Sequence, residues 1–313
     1  MYHRQSFIAH RLSAMAWIFA LISTAVFTAN LAVAQQQGQK TFASAAEATK
    51  ALVVALKANN ETDLLTILGP DGKDVVSSGD SAEDQQHRAE FVKKYHEMHR
   101  LVIEPDGNTT LYIGAENWPT PIPLKNVNGK WFFNTPMGKA QILYRRIGRN
   151  ELAAIQVCRE LVDSEKEYYG QSHDGEPPNQ YAQKLFSDPG KHNGLYWEAS
   201  GSEGQSPVGP LLASASTRIS AEGKEVEPFM GYYYRVLTAQ KGPGGTRSYI
   251  VDGKMTRGFA ILAYPAEYRS SGVMTFIVDQ DGIVYEKDLG RKTPDTAKNL
   301  SQYSRDASWR KAD

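Results

Sequence analysis

Two histidines that could bind a metal stand in the segment His96-Glu-Met-His99, and His87 precedes them by more than two helical turns. Paired imidazoles near one helix face are the kind of ligand that zinc prefers. The zincin motif, however, spaces its two histidines one residue further apart, and no third ligand completes the set here. His96 and His99 are therefore candidate ligands without a complete site, and surface histidines on a polar helix are the alternative. We expect no cofactor.

Carboxylates stand in two predicted loops. The segment Ser172-His-Asp-Gly-Glu176 combines His173 with Asp174 and Glu176, which could bind calcium or a polar ligand, with a solvated loop as the alternative. The segment Asp279-Gln-Asp-Gly282 resembles the start of a calcium-binding loop, but a strand pattern follows it and the Asp-Gly pair is typical of a tight turn. We therefore predict a hairpin turn at 279–282 and keep His173, Asp174 and Glu176 as candidate binding residues.

Three consecutive tyrosines, Tyr232-Tyr-Tyr234, lie in a predicted strand. Because side chains alternate across a strand, one or two of these rings must face outward. Exposed aromatic rings can bind glycans or partner proteins, whereas packing against neighbouring loops is the alternative. Tyr232 and Tyr234 are therefore candidate binding residues.

The motifs of common catalytic sites are incomplete. Neither Gly201-Ser-Glu-Gly204 nor Ser270-Ser-Gly272 forms the nucleophile elbow of serine hydrolases, and Gly242-Pro-Gly-Gly245 lacks the ending of a phosphate-binding loop. The single cysteine, Cys158, lies on the apolar stripe of a predicted helix, which favours a buried residue over a reactive thiol. We expect no enzymatic activity. The alternative is an envelope hydrolase or a metal-dependent enzyme with its site in a cleft between two folded units.

The N-terminal residues 1–34 have the pattern of a secretory signal peptide. Arg4 and Arg11 precede a mostly apolar run that extends to Leu31, and Ala32-Val-Ala34 matches the small-x-small cleavage pattern. Cleavage would leave a periplasmic or secreted protein with no membrane span. An uncleaved transmembrane anchor is the alternative, but polar residues such as Ser23 and Asn30 interrupt the apolar run and make it short for spanning. The polar residues 35–40 that follow are predicted to be a disordered linker.

The amino-acid composition argues against a nucleic-acid partner and against stabilisation by disulfide bonds. The chain has 35 basic and 35 acidic residues, so it lacks the basic surplus that nucleic-acid binding requires. With one cysteine it has no internal disulfide bond, and it depends on its hydrophobic core. Removal of 34 residues from a chain of 313 leaves 279, which is enough for two modest domains. The oligomeric state stays open.

Residues 41–147 are predicted to form an α+β domain of short helices and a small antiparallel sheet. Strands are indicated at 109–114 and 122–126, and Asn128-Gly129 is typical of a tight hairpin turn before Trp131. This combination is similar to the cone of NTF2-like proteins.

Residues 148–313 are predicted to form a second domain, in which a long helix packs on an antiparallel sheet. Apolar residues recur at helical spacing through 150–169, with Asn150 as N-cap and Gly170 at the end. A helix ending in Tyr168-Tyr169 and followed by a variable loop, the tyrosine strand and a closing hairpin is similar to the globular head of type IV pilin-like proteins. It departs from pilins because a folded unit precedes the helix, which argues against assembly through a pilin stem.

A set of motifs distributed over the chain resembles those of the bacterial family known as domain of unknown function 2950 (DUF2950). The motifs are Ile147-Gly-Arg-Asn-Glu-Leu152, Pro189-Gly-Lys-His-Asn-Gly-Leu-Tyr-Trp197, Gly231-Tyr-Tyr-Tyr-Arg-Val-Leu237 and Ser271-Gly-Val-Met-Thr-Phe-Ile-Val278. The resemblance implies an exported protein and brings no catalytic residues. We therefore expect an exported cell-envelope protein that acts as a structural or binding component, with a protein or glycan as its partner.

Overall fold

The structure is a computed structural model that describes residues 35–77, 79, 81–197, 206–208, 228–242 and 244–312. The predicted signal peptide at 1–34 lies outside the described residues. Within them, no helix combines the length and the hydropathy that a membrane span requires.

Short helices open the chain. They are α1 (Ala45–Lys57), α2 (Glu61–Leu68), α3 (Lys73–Val76) and α4 (Ser81–Glu97), with a 3₁₀ turn at Pro70–Gly72. Ser44 caps α1 by accepting the N–H of Glu47, and Asn60 caps α2 by accepting that of Asp63. These side chains satisfy N–H groups that have no partner inside the helix.

A five-stranded antiparallel sheet follows. Its strands are β1 (His99–Ile103), β2 (Thr109–Ile113), β3 (Trp118–Pro119), β4 (Leu124–Val127) and β5 (Lys130–Phe133). They are arranged in the order β1-β2-β4-β5, with β3 paired to β2. Asn128 and Gly129 have positive φ values of 54° and 81°, as the predicted Asn-Gly turn requires.

One helix, α5 (Thr135–Tyr169), joins the two halves of the molecule. It has 35 residues and begins 15 residues before the predicted start at Asn150. Asn134 is the N-cap, while the side chain of Asn150 donates to the carbonyl of Ser271 (2.8 Å). Gly148 is tolerated inside the helix, because one glycine reduces helix stability by only about 1 kcal/mol. The predicted boundary between 147 and 148 therefore falls within a continuous helix.

The remaining strands are β6 (Tyr232–Leu237), β7 (Ala239–Gly242), β8 (Gly245–Ser248), β9 (Ile250–Val251), β10 (Lys254–Met255), β11 (Ala260–Pro265), β12 (Met274–Asp279), β13 (Tyr285–Asp288) and β14 (Arg310–Lys311). An antiparallel sheet has the order β14-β13-β12-β11-β6, and β7-β8 and β9-β10 form separate pairs. Helix α5 packs on β11 and β12, and the short helix α6 (Thr293–Asn299) also packs on β11. The predicted fold class, α+β with a long helix on an antiparallel sheet, is confirmed.

The buried apolar residues form two clusters. The first core includes Phe42, Leu52, Leu64 and Phe133, and belongs to residues 35–134, here called the first region. The second core packs the C-terminal half of α5 against the second sheet, and its other residues belong to residues 170–312, here called the second region. The division into domains at 41–147 and 148–313 stays a prediction.

The prediction of a disordered linker at 35–40 is wrong at Gln39. Its side chain is buried, and its Nε2 donates to the carbonyls of Ile67 (3.1 Å) and Phe133 (2.8 Å). An amide that pairs with two buried carbonyls fixes the segment to α2 and β5, because leaving those groups unpaired would be costly.

Candidate functional site

The structure does not place His96 and His99 as a pair on one helix face. Helix α4 ends at Glu97, so that His99 begins β1, where its ring stacks on Tyr95 at a centroid distance of 3.9 Å. Within the described residues, no three His, Cys, Asp or Glu side chains converge as metal ligands.

Tyr232, one of the candidate binding residues on β6, does not lie on an exposed aromatic surface. The side chain of Tyr232 is completely buried and its hydroxyl donates to the carbonyl of Met274 (2.9 Å). The hydroxyl of Tyr234 is also buried, and it has no partner within the described residues. The reason is that β6 pairs with β11, on which α5 packs, and that Tyr232 lies beside Phe276, so this face of the strand belongs to the second core.

The three candidate residues of the 172–176 loop do come together in one concave surface. They line a cleft of about 280 Å³, here called the polar cleft, with Tyr168, Gln180, Tyr181, Gln183, Lys184, His192 and Asn193. Asp174 accepts the backbone N–H of His192 (2.7 Å), and its other oxygen lies 2.7 Å from Nδ1 of the same residue. These contacts with His192 hold the pKa of the Asp174 carboxyl below its usual range.

The other candidates in the polar cleft are also paired. Glu176 forms an ion pair with Lys254 (2.5 Å). His173 is buried, with its ring stacked 3.8 Å from that of Tyr168. The cleft therefore presents paired charges, amides and aromatic rings, which suits hydrogen bonding to a polar ligand.

A second cavity, which sequence reasoning missed, lies beside the first core. It has a volume of about 410 Å³ and is here called the apolar pocket. Most of its lining is aliphatic or aromatic, contributed by helices α1 to α5 and the first sheet. Those side chains are Leu52, Leu56, Leu64, Leu68, Val75, Val76, Phe91, Trp118, Pro121, Ile122, Phe133 and Ile142.

The polar residues that line the apolar pocket are Asp84, His87, Arg88 and Thr120. Arg88 is only 7% exposed, and its guanidinium forms an ion pair with Glu61 (2.9 Å). The guanidinium also donates hydrogen bonds to the carbonyl of Val76 (2.6 Å) and to the side chain of Asn59. A buried charge needs such partners, since an unpaired one would be expensive. Arg88 thus ties α4 to α2 and α3 and holds one wall of the pocket in place.

The solvent-facing mouth of the apolar pocket includes Trp118 and Ile142, which are 41% and 36% exposed. Arg145, one turn after Ile142 on α5, places its guanidinium 5.2 Å from the centre of the Trp118 ring and donates to the carbonyl of Pro119 (2.8 Å). Partial burial lowers the pKa of Arg145, but a guanidinium stays charged in proteins. A cation therefore stands at the edge of an apolar cavity.

Comparison with known proteins assigns the family. The model of a family described as a protein of unknown function (DUF2950) matches residues 39–312. The chain belongs to this family. No curated protein and no solved structure matches it. The DUF2950 match begins at the buried Gln39 and includes both cores, the apolar pocket and the polar cleft. The resemblances to NTF2-like and pilin-like proteins stay predictions.

Proposed function

We propose that this DUF2950 protein is an exported component of the cell envelope, without enzymatic activity, that binds an apolar ligand or the apolar part of a partner. The observation that carries the proposal is the apolar pocket. Its volume of about 410 Å³ lies in the range of small-molecule sites, which are typically concave, mostly apolar and equipped with a few polar groups. Export is supported by the signal-peptide pattern at 1–34.

Binding of a neutral fluorescent probe tests the proposal. The apolar dye 1-N-phenylnaphthylamine should bind the purified protein with increased fluorescence. Leu56→Trp should reduce its affinity about tenfold or more, because Leu56 lines the pocket and an indole would occupy part of it. Val54→Trp on the same helix is the matched control, since Val54 is 60% exposed and should leave binding unchanged. Absence of dye binding to the wild type would refute the proposal.

The polar cleft supports a second candidate function, recognition of a glycan. Asp174, Glu176, Gln180 and Asn193 offer carboxylate and amide groups around one concavity. Neutral oligosaccharides should then shift the NMR signals of cleft residues, and His192→Ala should abolish the shifts by removing the contact with Asp174. The alternative of an envelope hydrolase predicts covalent labelling of one serine by a fluorophosphonate, whereas the proposed function predicts none.

A further inference from the structure

The surface of α5 beside the mouth of the apolar pocket is positively charged. We infer that the ligand of this pocket is a single-chain amphiphile whose anionic head group lies against Arg145, Arg146 and Arg149. These three residues are here called the arginine stripe. The inference rests on the proposed function and specifies the chemical class of the ligand.

Helical geometry places the arginine stripe next to the mouth. Ile142 lines the pocket, and Arg145 and Arg146 follow it by three and four residues, the spacings that bring side chains together on a helix surface. Arg149 follows seven residues after Ile142, about two turns along the same side. An apolar chain that enters beside Ile142 therefore leaves its head group within reach of the stripe.

No residue of the arginine stripe forms an ion pair with a described carboxylate. Arg145 and Arg146 donate to Pro119 and Ser270, which are uncharged, and Arg149 is exposed without an ion pair in the described chain. By contrast, Lys139 at the start of the same helix forms an ion pair with Asp74 (2.9 Å). Guanidinium groups match carboxylate and phosphate oxygens in bidentate geometry, which favours an anionic head group.

Three carboxylates near the pocket are buried or form ion pairs with basic residues outside the stripe. Asp84 is a buried lining residue on α4, one turn before Arg88. Glu61 forms an ion pair with Arg88, and Glu116 with Lys94 (3.4 Å). The whole chain has equal numbers of basic and acidic residues, so the stripe is a local feature and not part of a generally basic surface.

The volume of the pocket limits the length of the chain. A dry apolar cavity of about 150 Å³ binds one benzene molecule. In proportion, a pocket of about 410 Å³ has room for roughly 12 to 16 carbon atoms. One acyl chain of medium length therefore fits, and two chains do not.

The test compares dodecanoate, dodecyl phosphate and neutral dodecan-1-ol as competitors of 1-N-phenylnaphthylamine. The two anions should displace the dye at concentrations about tenfold lower than the alcohol, because several exposed ion pairs each add a modest gain. This preference should shrink as sodium chloride is added, since salt screens exposed charges. The ratio of the concentrations at which dodecanoate and dodecyl phosphate displace the dye then identifies the preferred head group.

Variants separate the inference from the proposed function. Arg146→Gln with Arg149→Gln should remove most of the preference for the anions over dodecan-1-ol while dye binding is unchanged, because neither residue lines the apolar pocket. The triple variant that adds Arg145→Gln is judged only by the ratio of anion to alcohol affinity, since Arg145 contacts the pocket-lining Trp118. Arg159→Gln is the matched control, since Arg159 is exposed on the same helix about 15 Å beyond Arg149. Equal binding of alcohol and anions by the wild type, or an unchanged preference in a variant that folds as judged by circular dichroism, would overturn the inference and leave the apolar pocket standing. Failure of all three compounds and of the dye would overturn both.

Discussion

The first core borders an apolar pocket of about 410 Å³, whereas the second core packs α5 tightly against β11 and β12. Val157, Cys158 and Leu161 on α5 are completely buried, and all six residues of β11 are buried as well. The polar cleft lies beside this core and shares Tyr168 with it. One helix thus contributes to a region with room for an apolar ligand and to a core in which the residues of β11 are buried. The difference identifies the first region as the more promising place to look for a ligand.

Truncation of matched leucines gives the largest expected effect and tests this comparison directly. Leu161 and Leu64 are both buried residues within helices, but only Leu64 lines the pocket. Leu161→Ala should lower the free energy of unfolding by about 4 kcal/mol, and Leu64→Ala by about 2 kcal/mol, because Leu64 already has fewer packing partners on one side. Urea unfolding followed by circular dichroism measures both. Equal losses would show that the pocket wall is packed as tightly as the second core.

The pH dependence of stability should reveal a carboxyl group buried on the C-terminal half of α5. Glu165 is completely buried, its Oε2 accepts the N–H of Ala182 (2.9 Å), and its Oε1 has no partner within the described residues. Burial raises the pKa of Glu165 well above its usual value, against the weaker opposite effect of the Ala182 N–H. The neighbouring hydroxyls stay neutral, since burial also raises the pKa of Tyr181 and brings that of Tyr168 to about 12.

The direction in which stability changes with pH follows from the number of protons bound by the folded and unfolded states. Above the ordinary pKa of a glutamate the unfolded chain loses this proton while the folded protein keeps it, so the free energy of unfolding falls as pH rises until the raised pKa is reached. Glu165→Gln should flatten this decline in urea midpoints measured between about pH 4 and pH 8. Glu160→Gln, five residues earlier on the same helix and only partly buried, should retain the wild-type slope. A slope unchanged by Glu165→Gln would argue against a protonated group at this position.

Removal of the hydroxyl from two tyrosines of β6 should change the free energy of unfolding in opposite directions. Tyr232→Phe removes a hydrogen bond to Met274 and should lower the free energy of unfolding by about 1 kcal/mol. Tyr234→Phe removes a buried hydroxyl that has no partner among described residues, and should raise it by up to about 1 kcal/mol. Thermal unfolding of the two variants beside the wild type checks the prediction. A loss of stability in both would indicate that Tyr234 has a hydrogen-bond partner in solution.

The smallest expected effect concerns Cys158, whose thiol should not react with a labelling reagent while the protein is folded. Complete burial raises the pKa of its thiol to about 12, and it keeps the thiolate fraction negligible near neutral pH. Ellman's reagent should therefore label the protein only after unfolding in denaturant. Rapid labelling of the native protein would mean that the second core opens more readily than its tight packing implies.

Local features of the fold were predictable from the sequence. The Asn128-Gly129 turn and the pairing of β12 with β13 depend on turn residues and alternating patterns that lie close together in the chain. The start of α5 was not predictable, because residues 141–147 suit either a strand or a helix. Asn150, a good N-cap by type, instead contacts Ser271, which is 121 residues away in sequence.

The candidate sites depend on contacts between distant segments. The loop at 172–176 offers candidate binding residues in sequence, but His192, the partner of Asp174, follows it by 18 residues and no local pattern joins them. The apolar pocket combines residues from Leu52 to Ile142, each of which looks like an ordinary core residue in its own segment. Which face of β6 turns inward depends on the position of α5, so the burial of Tyr232 could not be derived from alternation alone.

The continuity of α5 has a consequence for how the protein can be divided in the laboratory. A helix of 35 residues is about 50 Å long, and a truncated protein that ends at 147 would cut it inside a run of hydrogen bonds. The piece left on the first region would be a helix of 13 residues, close to the length at which helices are marginal without packing. Fragments that end near Asn134 or Gly170 keep the helix whole, and two fragments that both include α5 would compete for the same packing surfaces.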